Sequence, residues 1–124
     1  MISASELVQA IRFIQRDLFC EWKGCIIAIS DECNRRAVEQ DIDELLWKRT
    51  ARIDVEKLLN HEHVRDMLSN FKRGDLDVAG LRTIGELWCG LIERSLLRSY
   101  PDNNFNTSII NEGGDVIVTF FQTE

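Results

Sequence analysis

The rhythm of apolar and polar positions changes repeatedly along this chain, and each change marks an element. Leu7, Ile11, Ile14 and Leu18 recur at helical spacing, and Ser3 followed by Glu6 has the reciprocal pattern of a capping box. A first helix is therefore predicted from about Ser3 to about Phe19. Gly24 stops it or its trailing turn, and Cys25 to Ser30 is a β-branched run bounded by Gly24 and Asp31, which reads as a buried strand. From Cys33 to Ala51 the positions Ala37, Val38, Ile42, Leu45 and Leu46 suggest a helix, with Glu39, Asp41, Asp43 and Glu44 on its wet side and Lys48, Arg49 and Arg52 after them. That order complements the helix dipole.

Asp54 can cap a short helix carrying Val55, Leu58 and Leu59, while Val64, Met67, Leu68 and Phe71 mark a further turn or two before Lys72-Arg73-Gly74-Asp75. Asp77 opens the longest pattern, Leu81, Ile84, Leu87, Trp88, Leu91, Ile92, Leu96 and Leu97, running to Pro101. The apolar stripe is wider than one buried face needs, so cover on more than one side is expected. Gly80, Gly85 and Gly90 lie inside it and point in different directions, so at least one is expected to admit a close neighbour.

Past Pro101-Asp102-Asn103-Asn104, Phe105, Thr107 and Ile109 alternate with Asn106 and Ser108. Asn111-Glu112-Gly113-Gly114-Asp115 turns the chain, and Val116 to Phe121 follows as a nearly unbroken apolar run. The fold class implied is α+β: a mainly helical single domain spanning 1–124. Its small antiparallel sheet (Cys25–Ser30, Phe105–Ile110, Val116–Phe121) has the last strand central and packs against helices.

Composition narrows the class. The 124 residues are 44% apolar and 29% charged with a single proline, the balance of a chain that buries one core. Net charge is −6, which repels a nucleic-acid backbone. No Lys or Arg lies between Pro101 and Glu124, so the C-terminal hairpin holds much of the excess. An acidic residue at Glu6 interrupts any N-terminal signal, and no apolar run reaches the roughly 20 residues of a membrane helix. A cytoplasmic location is expected, with Cys20, Cys25, Cys33 and Cys89 as reduced thiols.

Chemistry is sparse. His61-Glu62-His63 is the one place where two imidazoles and a carboxylate lie together. On a helix, residues two apart diverge by about 200°, so a shared metal would need extended backbone there. The cysteine spacings fit no compact zinc pattern, and phosphate loops and nucleophile elbows are missing. No catalytic residue, metal ligand or cofactor is assigned. The expected function is a non-catalytic protein-protein interaction module, of inhibitor, immunity or accessory type. Its partner is a protein, of basic character if it binds Glu39, Asp41, Asp43, Glu44 and Trp47, the acid group with its neighbouring aromatic. The alternatives are a small enzyme or metal-dependent hydrolase built on His61, Glu62 and His63, and a regulator that binds a small ligand between sheet and helices. A second interaction surface is the edge of Phe105 to Ile110, able to accept a strand.

Overall fold

The computed structural model describes residues 18–67 and 77–123. The helix predicted from Ser3 lies outside them up to residue 17, and its expected end is a strand. β1 (Phe19–Trp22) and β2 (Cys25–Ala28) form an antiparallel hairpin. Lys23 and Gly24 turn it with φ of 50° and 81°, the positive pair that a two-residue hairpin turn demands. Gly24 therefore closes a hairpin and does not end a helix.

Asp31 accepts a hydrogen bond from the Cys33 N–H at 2.9 Å and starts a 3-10 turn (Glu32–Asn34) that leads into α1 (Arg35–Trp47). In α2 (Arg52–Leu59) the cap position belongs to Ala51, and Asp54 sits in the first turn. There its carboxylate complements the helix dipole and makes no capping bond, a correction to its expected role. β3 (Glu62–His63) and the single turn α3 (Val64–Met67) follow. α4 (Val78–Ser99) opens at Asp77 as its sequence implies, the carboxylate accepting from the Gly80 N–H at 2.9 Å. β4 (Phe105–Glu112) and β5 (Asp115–Gln122) pair without interruption from Phe105 with Gln122 to Glu112 with Asp115, through a turn at Gly113 and Gly114 with φ of 54° and 82°.

The architecture is α+β, with helices packed on small antiparallel sheets. β5 is central, as its two-sided apolar run predicts. Its neighbours are β4 and β3, whereas Cys25–Ala28 pairs with β1 in a separate two-stranded sheet. The expected direct pairing of that strand with β5 is replaced by two side chains of the α2 segment. Glu56, fully buried, accepts from Ile26 N–H at 2.8 Å and from Gln122 N–H at 2.9 Å. It also accepts from the Gln122 amide and the Arg52 guanidinium, both at 2.6 Å. Asn60 accepts from Ala28 N–H at 3.0 Å and donates to the carbonyls of Ile26 and Phe120 at 3.0 and 3.2 Å. β2 thus lies alongside β5 with a polar spacer where ladder bonds would be. Every acceptor site of the Glu56 carboxylate is filled, which is what makes burying it tolerable.

Two apolar clusters flank this spacer. In the larger, α4 lays Leu81, Ile84, Trp88, Ile92 and Leu96 over Val116, Val118 and Phe120 of β5, with Phe19, Ile26 and Val64 completing it. Gly85 makes the approach possible: a methyl there would stand 3.2 Å from Val118 and 3.3 Å from Val116. In the smaller, Cys25 and Ile27 meet Ile42 of α1 and Val55 of α2. β2 serves both, because alternate side chains point to opposite faces. The outer face of α4 keeps Leu87 and Leu97 exposed, so the second cover expected for its wide stripe is not found at these two residues.

Candidate functional site

β4 and β5 present one face to α4 and the other outward. The outward cross-strand pairs are Asn106 with Phe121, Ser108 with Thr119 and Ile110 with Ile117. α2 runs beside that face, tied to it by a bond from the Thr119 hydroxyl to the Lys57 carbonyl at 2.8 Å. Between them lies a groove of about 450 Å³ lined by Asp54, Lys57, Leu58, His61, Ser108, Ile110, Ile117, Thr119 and Phe121. Leu58 and Ile110 are each about half exposed although both are large and apolar. The Lys57 ammonium sits 4.5 Å from the centre of the Phe121 ring, closing one side of the groove with a cation-π contact. Among the described residues β4 pairs with β5 alone, so within them its outer edge, next to the groove, has no strand partner. It is a regular eight-residue strand with no Pro, Lys or Arg, and its one charge is Glu112 at the far end, so little along it blunts the edge.

His61 lines the groove, and His63 stands next to it. The backbone at His63 is strand, paired with Ile117, and the His61 and His63 rings come within 5.4 Å at an interplanar angle of 76°. Sequence spacing alone, read as helix, sends them apart; the extended segment brings them together. His63 Nδ1 lies 3.1 Å from the Asp115 carboxylate, whose other oxygen accepts from the Arg65 and Val116 N–H groups at 3.1 and 2.7 Å. His61 Nδ1 meets the Leu58 carbonyl. No cysteine joins them: Cys20, Cys25 and Cys89 are buried elsewhere, and Cys33 is exposed by the turn before α1. Burial pushes the Cys20, Cys25 and Cys89 thiols above their ordinary range, away from nucleophilic character. Among the described residues no group of three or more His, Cys, Asp and Glu is placed to hold a metal ion.

The acid group of α1 does not form one surface. Glu39 and Asp41 lie two residues apart on a helix and so diverge by about 200°. Asp43 is held by Lys23 at 2.6 Å and by the Trp22 indole N–H at 2.8 Å. These bonds, Lys23 first, lower its carboxyl below the ordinary range. Glu44 pairs with Lys48 at 3.1 Å. Trp47, in contrast, is 87% exposed, an unusual position for so large an apolar side chain. The groove itself had only an indirect signal in the sequence, the alternation of Ser108, Ile110, Ile117 and Thr119 on one face.

No protein-family model, no curated protein and no solved structure matches the chain. Among the described residues no helix is long and apolar enough to cross a membrane.

Proposed function

We propose that this protein is an interaction module that takes an extended, apolar-patterned peptide segment of another protein along β4. The observation that carries the reading is the juxtaposition of a little-blunted strand edge with the apolar groove beneath Leu58, Ile110, Ile117 and Phe121. A strand added to β4 would make main-chain hydrogen bonds for affinity, and its alternate side chains would enter the groove for specificity. Among the described residues no cysteine stands beside the histidines, which favours a binding role over thiol chemistry here. Trp47 supports a second point of contact on α1, since exposed tryptophans are frequent anchors of interfaces. Of the four acids near it, Asp43 and Glu44 are already paired with Lys23 and Lys48.

The test is selection of random peptides displayed on phage, with Ile110→Asp as the counter-selecting protein. Binders with apolar residues at alternate positions are expected, lost on Ile110→Asp and retained on Trp47→Ala at reduced affinity. Peptides that bind wild type and Ile110→Asp equally would remove the groove from the reading.

A further inference from the structure

The histidine pair has a property that its position beside the groove does not require. The partner of His61 Nδ1 is the carbonyl of Leu58, and the partner of His63 Nδ1 is a carboxylate oxygen of Asp115. A carbonyl and a carboxylate can only accept, so in the neutral imidazoles both Nδ1 atoms carry the proton. Both Nε2 atoms are thereby left with a lone pair. Two neighbouring imidazoles, each donating its other N–H to a backbone carbonyl or a carboxylate, is the arrangement by which proteins orient histidines toward a metal.

The ring separation fits the same purpose. A zinc–nitrogen bond of about 2.0–2.1 Å, extended by about 1.1 Å to the ring centre, places two imidazoles on one tetrahedral ion about 5.2 Å apart. The His61 and His63 rings are 5.4 Å apart. Neither ring is sealed in the core: His61 is exposed and the His63 side chain is 41% exposed, so an ion and its waters have access. We infer that His61 and His63 form a two-histidine site for a divalent transition ion of the zinc, nickel or copper class, bound through both Nε2 atoms and completed by water. Two imidazoles suit these ions and not calcium or magnesium, which take oxygen. With two protein ligands the site is open, and the ion keeps positions for an exogenous donor beside the groove that His61 lines.

The chain contains only two histidines, so imidazole nitrogen spectra of the ¹⁵N-labelled, chelator-stripped full chain read the site directly. The metal-free spectrum is expected to show both rings protonated at Nδ1. Titration with zinc chloride is expected to shift both Nε2 signals together and to saturate at one equivalent. His61→Gln and His63→Gln, single substitutions at accessible positions, should each weaken zinc binding at least about tenfold, and Asp115→Asn, which alters the orienting bond, by about tenfold. Backbone spectra of each variant separate loss of binding from loss of fold. Rings protonated at Nε2, saturation at two independent equivalents, no shift at millimolar zinc, or zinc binding that survives both histidine substitutions would each overturn the inference.

Discussion

Glu56 is the residue on which most of the tertiary arrangement turns. Its two oxygens receive four donors, from Arg52, Ile26, and the backbone and side chain of Gln122. Glu56→Gln keeps the shape and removes the charge, but whichever way the amide is placed its NH2 end meets two N–H groups. A pair of buried or part-buried donors then loses its acceptor while the charge that pairs with Arg52 is gone. A loss of about 3 kcal/mol is expected, read as a lower midpoint in urea with an unchanged slope. A variant as stable as wild type would show that water satisfies those donors. The sequence carries no local sign of this role. Arg52 and Glu56, four residues apart, read as an ordinary ion pair on a wet helix face, and the other three donors lie 30 and 66 residues away along the chain.

At the scale of elements, α4 shows how identical residues acquire opposite meanings. Gly85 faces Val116 and Val118, whose methyl groups would stand 3.3 and 3.2 Å from an added Cβ, with Val64 at 3.6 Å. All three valines are fully buried, so they have little room to yield. Gly90 has nothing within 4 Å. Gly90→Ala is therefore expected to stabilise the protein by about 1 kcal/mol through helix propensity alone. Gly85→Ala is expected to cost about 1 kcal/mol through overpacking. Thermal or denaturant midpoints of the two variants should move in opposite directions, and a gain from both would mean that β5 relaxes away from the helix. Spacing along the chain identified a need for close approach but could not choose the glycine, because that depends on which face meets β5. The same limit explains the other discrepancies. β1 has no sequence signal of its own, because Leu18 continues the apolar spacing of Leu7, Ile11 and Ile14 and carries the expected helix to about Phe19, the first residue of the strand, and Lys23-Gly24 is not the usual hairpin pair. β3 is two residues long, too short for any periodicity, yet it brings the histidines to one side. By contrast α4 and the bodies of β4 and β5 are legible in their patterns, although Asn111, Glu112 and Asp115, expected in the turn, belong to the strands. The strand edge followed from them; the groove beside it did not, because α2 forms its other wall.

Across the whole molecule, the two apolar clusters share β2 and are joined by the Glu56 and Asn60 bonds rather than by a continuous sheet. Ile26 belongs to one cluster while Cys25 and Ile27 belong to the other, so neither cluster can open without disturbing a strand that both use. The amides of Ile26 and Gln122 donate to the same carboxylate from opposite sheets, and the amide of Ala28 donates to Asn60. If the clusters form one cooperative unit, these three amides become exchangeable only when the molecule unfolds globally. Native-state hydrogen exchange should then give Ile26, Ala28 and Gln122 the same opening free energy as the core amides of β5, and all should fall together in Glu56→Gln. A lower value for Ile26 and Ala28 alone would mean that the β1–β2 hairpin detaches as a separate unit. The polar spacer would then be a seam between two folding units instead of the joint that unites them.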